Sequence, residues 1–178
     1  MNSHETDEIV LLAHGSGGAM SHELVETRLL AHISNPTLDR LDDSAVLSGK
    51  GCLAFTTDSY VISPVIFPGG DIGRLAVCGT VNDLAMVGAQ PEGLSLALII
   101  EEGLSLRTLD AVMRSVHDAC EEAGVNIVTG DTKVVSRGQA DQLYITTSGI
   151  GLPREGIAIS GSLARPGDNV ILSGGIAE

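Results

Sequence analysis

Apolar residues recur at helical spacing through residues 21–33, where Leu24, Leu29, Leu30 and Ile33 share one side. The pattern predicts an amphipathic helix with Ser21 as its N-cap. A short apolar stretch from Ile9 to Ala13 leads into it through Gly15-Ser16-Gly17-Gly18. Residues 44–62 read as strand, interrupted by a Gly49-Lys50-Gly51 turn, and residues 63–70 read as loop. A helix rich in small residues is predicted over 71–88 with Asp71 as its cap, then a buried strand over 92–102. Residues 105–124 give the clearest helix. Leu109, Val112, Val116 and Ala119 line one face, and Gly124 suits the position just past its end. Strands are predicted over 125–135, 142–153 and 169–174, with a turn-rich connection over 151–166. Strands alternating with helices place the chain in the α/β or α+β class. The last predicted strand, "NVILSG", leads nowhere, so the chain is expected to be a fragment or a short version of something longer.

Composition narrows what such a fold can do. Of the 178 residues, 43% are hydrophobic, enough for a core, but only 2% are aromatic and none is Trp. Base stacking is therefore disfavoured, and the core must be aliphatic. The net charge of −13 argues against nucleic acid or an anionic membrane as partner. Cys52, Cys78 and Cys120 lack any zinc-ligand or disulfide-framework spacing. No apolar run approaches membrane-spanning length, and the N-terminus is acidic rather than leader-like, so a cytoplasmic protein is expected.

The chemistry-bearing residues are glycines and acids. Gly15-Ser16-Gly17-Gly18 can turn several backbone N–H groups toward an anion at the start of the following helix. It completes neither the Walker A pattern nor the dinucleotide fingerprint, because Ala19-Met20-Ser21 stands where those need Lys or Gly. A plain Gly/Ser connector fits the same residues. Asp42-Asp43 precede a predicted strand. Asp58 and Asp131 end apolar stretches, where side chains converge at one edge of a sheet. Asp83 sits among Val81, Leu84, Ala85, Met86 and Val87, where an unpaired buried carboxylate is costly and calls for a cation. Asn82 adds an oxygen beside it. Magnesium is bound by such hard oxygens together with substrate phosphates. It would supply the positive charge that the glycine loop lacks, with help from Lys133, which otherwise reads as an exposed strand lysine. His14 precedes the loop and His117 reads as structural.

Five segments in this order, "LLAHGSGG", "LDDSAVL", "FTTDSYVISPVIFPGGDIG", "VNDLAMVGA" and "TGDTKVV", resemble the hydrogenase-maturation HypE family of carbamoyl dehydratases. That family lies in the ATP-binding superfamily of aminoimidazole ribonucleotide synthetase, thiamine-monophosphate kinase and selenide water dikinase. The resemblance implies the superfamily's N-terminal α/β domain, a mixed sheet with flanking helices that pairs into a dimeric β-barrel. It implies a glycine-rich loop and helix over 1–40, an ATP-binding domain over 41–155, and the start of a C-terminal domain over 156–178.

By motif match, Gly15, Ser16, Gly17, Gly18, Asp43, Asn82 and Lys133 would contact ATP. Asp43, Asp58, Asp83 and Asp131 would hold Mg2+, with Asp42 a weaker candidate, and Lys133 and Asp83 would be catalytic. The implied activity is ATP-dependent dehydration of a carboxamido group on a C-terminal cysteine to a thiocyanate, the source of the cyanide ligand in [NiFe] hydrogenase. The implied partners are a second copy of the chain, the carbamoyltransferase HypF and the HypC–HypD complex. None of the three cysteines stands where that family keeps its acceptor thiol, so this chain alone is expected to retain the ATP-binding and dimerisation part. A thiamine-phosphate kinase-like enzyme and a non-catalytic dimerisation module are the other readings.

Overall fold

The computed structural model describes residues 9–15, 18–35, 39, 53–157, 159, 163–172 and 174. A 3-10 turn, Leu12–Gly15, leads to α1 (Ala19–Leu24), a π-helical stretch (Val25–Leu29) and α2 (Leu30–Ile33) in unbroken succession. There follow β1 (Ala54–Tyr60), the two-residue strands β2 (Ile66–Phe67) and β3 (Gly70–Asp71), α3 (Ile72–Met86) and β4 (Ala89–Glu101). The chain then forms α4 (Leu106–Ala123), β5 (Ile127–Val135) and β6 (Leu143–Pro153).

Four strands form one mixed sheet in the order β1-β6-β4-β5. β6 runs antiparallel to both its neighbours, while β4 and β5 are parallel and are joined through α4. Alternation along β4 sends Leu94, Leu96, Leu98 and Ile100 to one face, all buried. Leu143, Ile145 and Thr147 of β6 share that face, and α3 and α4 cover it. Leu109, Val112, Val116 and Ala119 of α4 are all buried, as their spacing predicts. Val10, Leu24 and Leu29 join the same core, so the N-terminal segment packs with the sheet domain. Pro91 is accommodated in β4 where the register with β6 shifts, between Pro91 and Gly93.

The other face of the sheet bears Ser95, Ala97 and Ile99 of β4, Thr146, Ser148 and Ile150 of β6, and Phe55, Thr57 and Ser59 of β1. No helix among the described residues covers it. Hydroxyls bond across its middle, with Ser59 and Thr146 at 3.0 Å and Ser148 donating to Thr57 at 2.8 Å.

Helix ends follow local chemistry. Asp71 caps α3 as expected, its Oδ1 accepting from the N–H groups of Gly73 at 2.7 Å and Arg74 at 3.1 Å. Gly124 ends α4 at φ 66°, a left-handed conformation that suits glycine.

Three expectations need correction. Ser21 is not an N-cap, because the helix begins two residues earlier with Gly18 in the capping position and no side chain to cap it. Residues 63–70 are not all loop, since Ile66–Phe67 pairs with Gly70–Asp71 in a tight hairpin. The strand predicted over 169–174 is not formed in its described part. A strand needs a hydrogen-bonding neighbour, and Val170 and Ile171 stand 100% and 88% exposed instead. The 44–52 part of the first predicted strand lies outside the described residues.

Candidate functional site

The residues singled out by the sequence fall into two groups at opposite edges of the sheet. On the β5 side, Gly15 marks where the glycine-rich loop begins. A Cβ there would lie 2.7 Å from the backbone nitrogen of Val134, so glycine is what lets the loop press against the edge strand. Gly18 is exposed at the start of α1, and Ser16 and Gly17 lie outside the described residues. Asp131 and Lys133 stand two apart on β5, therefore on one face, and pair at 3.2 Å in an exposed position. His14 is engaged locally, its Nδ1 accepting from the N–H of Leu11 at 2.8 Å.

On the β1 side, alternation turns Thr56, Asp58 and Tyr60 toward α3. Thr56 donates to Oδ2 of Asp83 at 2.8 Å, which ties the strand to the last turns of α3. The Tyr60 hydroxyl donates to Oδ2 of Asp58 at 3.0 Å. Behind it lie Thr80 and Thr147, both fully buried and hydrogen-bonded to each other. Burial pushes the Tyr60 phenol above its ordinary range. The Thr80 hydrogen bond opposes that shift, while the hydrogen bond to Asp58 and its charge reinforce it, so the hydroxyl is a donor at neutral pH.

Two expectations about the acids do not hold. Asp83 is not a buried carboxylate demanding a cation. On this last stretch of α3 only Leu84 is buried, and Asn82, Asp83, Ala85 and Met86 are exposed, so water solvates the charge. Nor do Asp58 and Asp131 converge at one edge. Asp58 is in register with Thr147 and, through it, Leu96 and Gly130, on the helix-bearing face. Asp131 is in register with Ala97, Thr146 and Ser59, on the open face. The acids thus sit on opposite faces and three strand spacings apart, about 14 Å. Asp42 and Asp43 lie outside the described residues. His117 is exposed rather than structural. Among the described residues no three His, Cys, Asp or Glu side chains gather as a metal cage. The donors at β1, two carboxylates and a hydroxyl, are nevertheless the hard oxygens that suit magnesium shared with phosphates.

Thr56, Tyr60, Thr80 and Thr147 were not singled out by sequence reasoning. The period-two spacing of Thr56, Asp58 and Tyr60 carries the signal for the first two. The buried threonine pair leaves none, because it is formed between elements far apart in the chain.

A family model, AIR synthase related protein, N-terminal domain, matches residues 41–152. The chain belongs to that family. Within the AIR synthase related family its likeness is to HypE. Carbamoyl dehydratase HypE of Rhodobacter capsulatus is 47% identical over 97% of this chain and 52% of its own length, and that of Escherichia coli is 44% identical over 95% and 52%. The chain thus spans about half the length of the curated relatives it matches. A crystal structure of hydrogenase maturation protein HypE in complex with ATP superposes with a TM-score of 0.86 at 54% identity, covering 88% of this chain and 47% of that one. A HypE–HypF complex superposes at 0.64 with 47% identity, over 84% and 47%. The resemblance read from the five motifs therefore holds, as does the mixed-sheet α/β class. No helix among the described residues is long and apolar enough to cross a membrane.

Proposed function

We propose that this chain is the ATP-binding, pairing portion of a HypE-type carbamoyl dehydratase. The observation that carries this reading is the likeness, at a TM-score of 0.86, to a HypE captured with ATP. In the proposed reaction the carbamoyl oxygen of an S-carbamoyl cysteine takes the γ-phosphoryl group of ATP and releases ADP. Loss of phosphate with the nitrogen-bound protons then leaves S–C≡N. The amide oxygen is a poor leaving group until phosphorylated, which is why ATP is consumed. The carbamoyl donor would be HypF and the cyanide acceptor the HypC–HypD complex. None of this chain's cysteines is assigned the carbamoyl group.

The split site supports pairing of two chains. Among the described residues, no strand pairs with the outer edge of β1 or of β5, and no helix covers the open face. Setting the open faces of two copies together, with β1 of each beside β5 of the other, closes a barrel. That arrangement sets the β1 edge carrying Asp58, Asp83 and Asn82 of one copy beside the β5 edge carrying Gly15, Gly18, Asp131 and Lys133 of its partner, with Asp58 on the barrel's outer face and the Asp131–Lys133 pair on its inner face. Ser16, Gly17 and Asp43 would complete the loop and the acids. Mg2+ would be held by the carboxylates and supply charge neutralisation at the phosphates. Lys133 would steady the transferring phosphoryl group from the opposite side.

Calorimetry with ATP and Mg2+ tests the reading. Asp83→Asn and Asp131→Asn chains should each lose binding. Mixed and reassembled, they should regain it, because a mixed dimer holds one site with neither substitution. Single variants that bind like the wild type, or a mixture that stays inactive although mixed dimers form, would overturn the shared site. A cytoplasmic location is part of the same reading and is checked by fractionation.

A further inference from the structure

A chain of hydroxyls lies beneath Asp58. A carboxylate can only accept, so the single proton of Tyr60 is committed to Oδ2 of Asp58. The phenolic oxygen then has only lone pairs to offer to Thr80, whose Oγ1 lies 3.5 Å away. Thr80 is bonded in turn to Thr147, which approaches the carbonyl of Ala76 at 3.4 Å. Both threonines are fully buried and Tyr60 is 9% exposed, so water cannot replace these partners. The neighbouring helix leaves room for the group. A Cβ on Gly79 of α3 would meet the Tyr60 hydroxyl itself. A buried ring, two buried hydroxyls and a missing methyl thus converge on one oxygen of one half-exposed carboxylate, and leave Oδ1 for a ligand.

We infer that Tyr60, braced by Thr80 and Thr147 and admitted by Gly79, is a positioning residue that fixes the Asp58 carboxylate for the nucleotide's metal ion. The inference rests on the reading of Asp58 as part of that site. Partners that orient a ligating carboxylate typically change metal affinity about 10- to 100-fold when removed.

The experiment is ATP calorimetry on the full chain across a Mg2+ series, for wild type, Tyr60→Phe, Gly79→Ala, Asp58→Asn and the Tyr60→Phe/Asp58→Asn double variant. Tyr60→Phe should raise the Mg2+ concentration needed for half-maximal ATP binding about 10-fold. Gly79→Ala should do the same with the tyrosine still present, because it displaces the hydroxyl. Circular dichroism and urea unfolding report whether each variant keeps its fold, and Gly79→Ala carries the test should Tyr60→Phe lose it. In the Asp58→Asn background Tyr60→Phe should add nothing, whereas a merely structural role would add its full effect. Wild-type-like Mg2+ dependence in Tyr60→Phe and Gly79→Ala, or full additivity in the double variant, overturns the inference while leaving the site reading intact. Wild-type chain that binds no ATP at any Mg2+ concentration overturns both.

Discussion

Replacing Asp71 with Ala removes one side chain and two hydrogen bonds from the start of α3. Its Oδ1 accepts from Gly73 N–H at 2.7 Å and Arg74 N–H at 3.1 Å. Losing an N-cap acceptor of this kind typically costs about 1 kcal/mol. Two features push the value upward here. The charge sits at the positive end of a 15-residue helix, which contributes roughly 0.5 kcal/mol more. Gly73 is buried, so water does not freely replace its lost partner. A total near 2 kcal/mol follows, and for a chain of this size that lowers Tm by about 5 °C. Urea unfolding followed by circular dichroism measures it. Asp71→Ser, which keeps an acceptor, should recover most of the loss. Asp83 lies 12 residues further along α3, about 18 Å at helical rise, so nucleotide binding by the folded variant should be unchanged. The reasoning fails if Asp71→Ala is within about 0.5 kcal/mol of wild type, or if the serine variant is no better than the alanine.

Gly73→Ala should destabilise by roughly 1–3 kcal/mol in urea unfolding, because its methyl would lie 2.6 Å from the Val112 carbonyl and 2.9 Å from Val116 Cγ2, wedging α3 from α4. The thiol of Cys120 is pushed from 9.0 to about 12, chiefly by burial and further by Glu121 and Cys78. Iodoacetamide at pH 8 should therefore leave it unmodified in the folded chain and label it rapidly in urea, as mass spectrometry would show. Because the folded value is the higher one, the stability from keeping this thiol neutral is whole below about pH 9. It declines as pH rises toward about 12, and the decline should be shallower in Cys120→Ala. Val170→Ser should shift stability by less than about 0.5 kcal/mol, since Val170 is fully exposed; a larger loss would mean the segment packs as a strand after all.

Legibility from sequence followed how local each feature is. The stripe on α4, the Asp71 cap and the Gly124 terminus are set within a few residues, and each appears where the pattern puts it. The hairpin at 66–71 is too short to show a period. The start of the first helix escaped because glycine at its N-cap offers no side-chain signal. The acids were harder. Apolar neighbours around Asp83 suggest burial, yet only Leu84 among them is buried, while Ala85, Met86 at 69% and Val87 at 45% are exposed. Local composition does not tell how far a helix overruns the elements it packs on. That Asp58 and Asp131 follow apolar stretches could be read, but they do not end their strands: Asp131 is the middle residue of β5 and Asp58 lies two residues inside the end of β1. That β6 and β4 lie between them could not be read, because strand order is a property of long-range pairing. The Tyr60 hydroxyl chain draws on β1, α3 and β6, and is invisible until all three are assembled.

Charge explains why a site divided in this way would need two chains. On the β5 side the cation Lys133 is already balanced by Asp131 at 3.2 Å, so that edge offers backbone donors and little net charge. On the β1 side no ion pair among the described residues reaches Asp58 or Asp83, and that edge is acidic. The chain as a whole carries −13, so its overall field opposes a polyphosphate at either edge. In the paired arrangement proposed above, the carboxylates of one copy gain a divalent cation and phosphate oxygens, while Lys133 of the other can turn from Asp131 to the nucleotide. Each half then removes the electrostatic objection to the other. In that arrangement the glycine-rich loop would need no lysine within its own motif, because the positive charge it lacks would arrive with the metal held by the carboxylates across the interface and from Lys133 on the strand beside it.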